Sequence, residues 1–170
     1  MKRFICVLLV ITFLTAVSGC SVKKPIDDIT YNELGIPTSS RYSEQPNARC
    51  PWDMIIWNEN LFVGSGNYDS NAGPIDIWCY DKNENTWKNT GVVPDEEISR
   101  FCIIGDTLVA PGIDPAEDWM YGNYYKFNGD KWIKMRRIYD GIHNFDMVKY
   151  DGRVFCGLGV KPGKFPIACS

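Results

Sequence analysis

Two segments of this chain combine carboxylates, amides and aromatic rings, which is the mixture that a sugar or peptide site needs. Flat rings can stack on a ligand, and carboxylate oxygens can accept hydrogen bonds from its hydroxyl or amide groups. The segments are residues 66–74 and 112–121. We predict that they are loops that contact a glycan or protein ligand, the alternative being ordinary turns whose rings fold back onto the protein. The candidate contacts are Tyr68, Asp69, Asp114, Glu117, Asp118 and Trp119.

His143 is the only histidine of the chain and lies between Asp140 and Asp146. An imidazole beside carboxylates can act as a general base or, with Asp146, as part of a metal site. It can equally be a structural residue that bonds its own loop, because the sequence offers it no second catalytic partner. We add His143 to the candidate contacts and predict neither a metal site nor a cofactor.

Glycoside hydrolysis is the enzymatic alternative, and it needs two carboxyl groups about 5–10 Å apart. The local pairs that fit are Asp114 with Glu117 and Asp114 with Asp118. A glycan-active hydrolase or lyase therefore stays open beside a binding module, as does a chain with no activity of its own. The segment 81–85 begins like a calcium loop, but Thr86 and Val92 stand where such a loop needs Gly and Glu, which favours a hairpin turn.

The N-terminus has the pattern of a secretory signal. Lys2 and Arg3 precede an apolar run, 4–17, of 14 residues, followed by the small residues Ser18 and Gly19. A transmembrane helix needs about 20 apolar residues, so this run is too short to remain as a membrane span. We therefore predict an exported chain.

The residues Val17-Ser18-Gly19-Cys20 resemble the lipobox of bacterial lipoproteins. The resemblance implies that residues 1–19 are removed as the signal peptide and that Cys20 carries the lipid. Residues 20–50 would then be a lipid anchor and flexible tether, because they hold few large apolar residues. The expected partner is the membrane, and the expected location is the bacterial cell envelope, facing outside the cytoplasm.

The charge and the cysteine spacing limit the classes of function that this chain can have. Loss of residues 1–19 leaves 16 basic and 21 acidic residues, the basic ones scattered, which excludes a nucleic-acid footprint. Five cysteines remain beyond Cys20 without metal or redox spacing. Three of them, Cys79, Cys102 and Cys156, fall in strand-like runs and are expected to be small buried hydrophobes; the disulfide pattern stays open.

An internal repeat organises residues 51–170. Leu61, Leu108 and Val154 each follow a turn and begin similar apolar runs 47 and 46 residues apart. Downstream, Tyr80 and Trp87 match Tyr125 and Trp132, each 45 residues on. Runs of β-branched and aromatic residues alternate with Gly, Pro, Asn and Asp, and no helical period is sustained, so the fold class is all-β.

These repeats resemble kelch-like propeller repeats, in which an apolar strand runs into glycine and a Tyr-Asp turn precedes a Trp. The resemblance implies a partial β-propeller of about two and a half four-stranded blades with a period of 45–47 residues: 52–98, 99–143 and an incomplete 144–170. Propellers use about 4–8 blades. Either the chain is the front part of a longer protein, which we favour, or chains self-associate through open sheet edges. We predict that Trp52, Trp57, Trp78, Trp87 and Trp132 are core residues.

Overall fold

The computed structural model describes residues 32–118, 120–160, 163–164 and 166–170. The predicted all-β class is confirmed: eleven strands form three antiparallel sheets, and the described residues contain no α-helix. No helix among them is long and apolar enough to cross a membrane. The predicted signal peptide, Cys20 and Trp119 lie outside the described residues. The strands are β1 (Pro51–Trp57), β2 (Asn60–Ser65), β3 (Ile75–Asp81), β4 (Thr86–Val93), β5 (Cys102–Ile104), β6 (Thr107–Pro111), β7 (Tyr121–Phe127), β8 (Trp132–Tyr139), β9 (His143–Tyr150), β10 (Arg153–Gly159) and β11 (Ile167–Cys169).

Each sheet is a meander in which strands that are adjacent in sequence are hydrogen-bonded neighbours. The first sheet is β1–β4, the second is β5–β8 and the third is β9–β11. Two hairpin turns show why the chain reverses where it does. Asn58 and Glu59 have φ values of 46° and 64°, and Asp151 and Gly152 have 46° and 77°. Two successive positive φ angles are the signature of the type I′ turn, which matches the twist of antiparallel strands.

The strand register confirms one part of the predicted repeat and corrects another. Leu61 pairs with Tyr80, and Val109, the residue after Leu108, pairs with Lys126. The residue that corresponds to Tyr80 is therefore Phe127, and the predicted match with Tyr125 is wrong. Trp87 and Trp132 remain equivalent, since they pair with Tyr80 and Phe127 respectively. The equal spacing of Tyr80–Trp87 and Tyr125–Trp132 is misleading because the chain between the paired residues Tyr80 and Trp87 is two residues longer than the chain between Phe127 and Trp132.

Aromatic packing joins the first sheet to the second. Phe62 and Phe127 are buried, with ring centroids 5.3 Å apart in an edge-to-face arrangement. Trp132 lies 4.9 Å from the ring of Phe127, and the Trp57 ring lies 5.6 Å from it. A smaller apolar cluster around Val109 and Met147 lies between the second and third sheets. Burial of such side chains contributes roughly 1.5–3 kcal/mol each.

The residues just before β1 belong to the folded unit. Ala48 is fully buried in the core of the first sheet, and the Trp78 indole donates to the Tyr42 hydroxyl at 2.6 Å. The Arg41 guanidinium lies 3.4 Å from the Asp76 carboxylate, and the Trp87 indole donates to the Leu34 carbonyl at 3.0 Å. The predicted flexible tether 20–50 therefore does not extend through residues 34–50, which cover the outer side of the first sheet.

The core assignment of the tryptophans holds for three residues and fails for Trp52. Trp78 is buried, and Trp57 and Trp132 pack against the main core. Trp87 is half-buried, with its ring centroid 5.2 Å from that of Tyr80.

Trp52 is 55% exposed, which contradicts the prediction. Met54 and Ile56 lie on the same face of β1 as Trp52 and are 65% and 70% exposed. None of the three sheets in the described part of the chain packs against that face.

Candidate functional site

A line of backbone pairing gathers loops from all three sheets at one place. Isolated antiparallel bridges join Gly66 to Glu97, Glu97 to Ile113, and Ile113 to His143. The hydrogen bonds include Ile113 N–H to the Glu97 carbonyl at 3.1 Å and Asp114 N–H to the Ile142 carbonyl at 3.1 Å. Four chain segments that are far apart in sequence therefore lie side by side. We call this arrangement the loop ladder.

Three of the predicted contacts come together at the ladder. His143 Nε2 lies 3.5 Å from Asp114 Oδ2, and the centroids of the Tyr68 and His143 rings are 5.5 Å apart. The side chains of His143 and Asp114 are 28% and 24% exposed, so a ligand can reach both. Asp114 has a φ of 54°, a left-handed conformation that Asp tolerates better than most residues. The imidazole and the carboxylate form an ion pair when the imidazole is protonated.

Sequence reasoning missed three buried acids on the central segment of the ladder, Asp95, Glu96 and Glu97. Oxygen Oδ2 of Asp95 accepts hydrogen bonds from the Tyr125 hydroxyl and, at 3.1 Å, from Asn123 Nδ2. Oxygen Oε2 of Glu97 accepts the Tyr68 N–H at 3.4 Å. Oxygen Oε2 of Glu96 is buried and has no protein partner among the described residues. Three consecutive acids in a sequence usually indicate a solvated turn, so the burial of these residues becomes apparent only in the folded structure.

Burial shifts the titration of these acids. Removal from water, together with the charges of Asp114 and Asp95, raises the pKa of Glu96 to about 7. Removal from water also raises the pKa of Asp95 to about 6, against the opposing effect of its hydrogen bonds from Tyr125 and Asn123. Because burial and the neighbouring negative charges both disfavour its ionised form, Glu96 binds a proton more readily than a surface glutamate does.

Glu117 and Asp118 are held in ion pairs beside β8. Glu117 binds Lys134 and, at 2.8 Å, Arg136 Nη1, while Asp118 lies 2.9 Å from Arg136 Nη2. The hydrogen bond from Lys134 lowers the pKa of Glu117. The hydrogen bond from the Met120 N–H, followed by that from Arg136, lowers the pKa of Asp118. Both groups are therefore stable carboxylates and poor proton donors at neutral pH.

Asp69 is exposed in the short 3-10 turn Tyr68–Ser70, one residue from the ladder tyrosine. Asp146, the predicted metal partner of His143, accepts the N–H of Met147 with its own carboxylate at 2.8 Å. Within the described ranges, no group of three or more His, Cys, Asp or Glu side chains is arranged to hold a metal ion. Glu117 and Asp118, which the enzymatic alternative pairs with Asp114, are held instead in the ion pairs beside β8.

The cysteines of residues 50–170 are all described, and none of them forms a disulfide. Cys79 and Cys156 are buried, as predicted, whereas Cys102 is partly exposed. Burial raises the pKa of the Cys102 thiol to about 12 and that of Cys156 to about 11. Such thiols are poor nucleophiles, because the thiolate is the reactive form.

Comparison with known proteins leaves the site to be interpreted from its own geometry. No protein-family model matches the sequence. No curated protein matches it either.

Proposed function

We propose that this chain is a lipid-anchored module of the bacterial cell envelope, facing outside the cytoplasm, that binds a ligand through the loop ladder on a propeller-type scaffold. The loop ladder is the observation that carries the binding function, because it brings Tyr68, Asp114 and His143 to one surface. Four antiparallel strands in each of the first two sheets support the propeller arrangement, since that is the composition of a blade. The lipid on Cys20 rests on the lipobox-like residues 17–20.

The charges at the ladder favour a neutral or cationic ligand. Glu97, Asp114 and Asp69 supply carboxylates, and Tyr68 and His143 supply the rings on which a ligand can stack. An anionic ligand would meet repulsion from these groups, since like charges in a partly buried site raise each other's energy. A glycan or a basic peptide segment satisfies the chemistry, and a nucleic acid does not.

The ion pairs of Glu117 and Asp118 favour binding over hydrolysis. A glycosidase needs one carboxyl group that holds its proton at the working pH. The pKa of Glu117 is lowered by the hydrogen bond from Lys134, and the pKa of Asp118 by the Met120 N–H and Arg136. Neither group therefore supplies the general acid that a pair with Asp114 requires.

His143 makes the proposal directly measurable, because the chain has a single imidazole. We expect its NMR signals in the full chain, purified in detergent, to shift saturably on addition of either chitotriose, a neutral glycan, or trilysine, a cationic peptide. Asp114→Asn should weaken that binding by about tenfold, which corresponds to about 1.4 kcal/mol. Asp130→Asn, an exposed turn residue, serves as the matched control. Imidazole signals that respond to neither probe would refute binding at the ladder.

A further inference from the structure

Glycines from both predicted loop segments lie directly against the buried acids of the loop ladder. A Cβ atom at Gly66 would lie 2.2 Å from the Glu96 carbonyl oxygen, and one at Gly73 would lie 3.1 Å from the Glu96 Cα. A Cβ atom at Gly112 would lie 2.4 Å from Asp95 Oδ1. Larger residues at these positions would collide with the acids, so the fold keeps space for the acids at the centre of the ladder.

Backbone hydrogen bonds attach Glu96 to both loops that supply the predicted contacts. Its N–H donates to the Ile113 carbonyl at 3.0 Å, and Asp114 follows Ile113 in the chain. Its carbonyl accepts the Asn67 N–H at 2.9 Å, and Tyr68 follows Asn67. Glu96 is therefore fixed beside the residues that a ligand of the ladder would meet.

The Glu96 side chain is buried without a group that neutralises it. The residue is 9% exposed, and its Oε2 has no hydrogen-bond partner among the described residues. Burial raises its pKa, and the negative charges of Asp114 and Asp95 act in the same direction. A buried carboxylate without a partner is costly, so it takes up a proton or pairs with a cation.

Asp95 also has a buried oxygen, Oδ1, without a partner among the described residues. Asp95 is fully buried, however, and its other oxygen accepts hydrogen bonds from Tyr125 and Asn123. Glu96 keeps some exposed surface, and the Asp114 side chain beside it is 24% exposed. Glu96 is therefore the acid of the two that a ligand from solvent can reach.

The groups around Glu96 match a primary ammonium on an apolar stem. An ammonium has three donors and no acceptor, so it can bond to the carboxylates of Glu96 and Asp114 together. The Tyr68 ring lies 5.5 Å from the His143 ring, measured between centroids, and Asp114 Oδ2 lies 3.5 Å from His143 Nε2. Aromatic faces attract cations and also pack against the methylene stem of a lysine.

We propose that the loop ladder binds the ammonium group of a lysine side chain in a basic peptide, held between the carboxylates of Glu96 and Asp114. Such an ammonium site rests on the proposed binding function of the ladder and selects the cationic ligand from the two classes that the function allows. The ammonium supplies a positive charge beside Glu96, where the neighbouring charges of Asp114 and Asp95 are negative. The stem of the lysine packs on the Tyr68 ring.

The first test compares two peptides of equal length on the full chain in detergent. One is trilysine with both termini blocked, and the other is the same peptide with its three ammonium groups acetylated. The His143 NMR signals report binding at pH 8, where Glu96 is mainly ionised because its pKa is about 7. We expect the dissociation constant of the charged peptide to be lower by more than about tenfold.

The outcomes of this comparison separate the ammonium site from the proposed function. Equal affinities for the two peptides, or saturable binding of chitotriose without binding of trilysine, would overturn the ammonium site and leave ligand binding at the ladder intact. His143 signals that respond to no probe would refute binding at the ladder and the ammonium site with it.

A Glu96→Gln variant identifies the carboxylate that binds the ammonium. It keeps the size of the side chain and removes its charge, so it should weaken trilysine binding by more than about tenfold and change the affinity for the acetylated peptide by less than about twofold. Exposed Glu44→Gln is the matched control and should leave both affinities unchanged. Thermal melts establish that both variants fold, and the peptide comparison on the parent chain decides the proposal if Glu96→Gln does not. An equal effect of Glu96→Gln on the two peptides would rule out an ion pair with Glu96.

Discussion

The buried acids of the loop ladder are the residues whose behaviour departs most from that of their isolated side chains. One carboxylate oxygen of Glu96 has no partner in the described part of the protein, and burial is the main reason that its pKa is raised to about 7. A folded-state pKa above the ordinary 4.5 means that the folded chain binds this proton more tightly than the unfolded chain does. Protonation of Glu96 therefore stabilises the folded chain as the pH falls from above 7 toward 4.5, and this stabilisation is lost as the pH rises.

The raised pKa of Glu96 predicts the pH dependence of a Glu96→Gln variant. Between pH 8 and pH 5 the parent chain should gain stability on the order of 2 kcal/mol from Glu96, and the variant should lack that gain because glutamine does not titrate. Urea unfolding at the two pH values measures the difference. Both proteins carry His143→Gln, because histidine side chains titrate in the same range. Exposed Glu44→Gln is the control, and an equal flattening there would contradict a role for burial.

At the level of the elements, the segment that connects the second sheet to the third tolerates little added volume beside it. A Cβ atom at Gly122 of β7 would lie 1.7 Å from the carbonyl oxygen of Gly141, far inside contact distance. Gly141 directly precedes the segment that enters β9, so this contact links the second sheet to the third. Backbone atoms cannot move aside as a side-chain tip can.

Gly122→Ala should therefore lower the free energy of unfolding by about 1–3 kcal/mol, through displacement of the join. Gly157→Ala provides the comparison within another strand, because its Cβ would meet no atom within 4 Å. Denaturant unfolding of both variants separates the effects. Equal changes in the two variants would contradict a steric contact between residue 122 and Gly141.

The elements were readable from the sequence where local chemistry decides them. Leu61, Leu108 and Val154 are each the second residue of the second strand of a hairpin, as their shared turn-then-apolar pattern predicts. The match of Tyr80 with Tyr125 failed because the chain between the paired residues differs in length between the two sheets, which composition does not reveal. Trp52 was expected in the core because it lies in an apolar strand. Its exposure depends on whether another sheet covers that face of β1, which the strand's own residues do not determine.

The site was readable only in part, for a reason of the same kind. Loop composition predicted Tyr68, Asp114 and His143, and the fold brings them together. Glu96 and Glu97 carry no local signal, since their burial arises from pairing with segments before and after them. Glu117 and Asp118 looked available until the fold placed Lys134 and Arg136 beside them.

For the whole molecule, the decisive prediction concerns the proposed anchor. When residues 1–170 are expressed in a bacterium, the product in the membrane fraction should have the mass of residues 20–170 plus acyl chains. Cys20→Ala should remove the acyl mass and leave residues 1–19 attached, because the thiol that carries the lipid and directs cleavage is gone. Intact-mass spectrometry measures both, with Cys6→Ala in the apolar run as the matched control. An unchanged mass in Cys20→Ala would refute the lipid on Cys20.

The cover that residues 34–50 form on the first sheet also determines how the fold would respond to tension. A pull on the N-terminal end reaches the folded unit at Leu34, whose carbonyl accepts the Trp87 indole. Load then meets the Arg41–Asp76 pair and the Tyr42–Trp78 hydrogen bond before it reaches Ala48 and β1. Because these contacts are separate side-chain links, they would yield one after another and release a length of chain while the sheets keep their pairing. If the N-terminus were fixed, residues 34–50 would therefore detach under tension before the β-sheets lose their strand pairing.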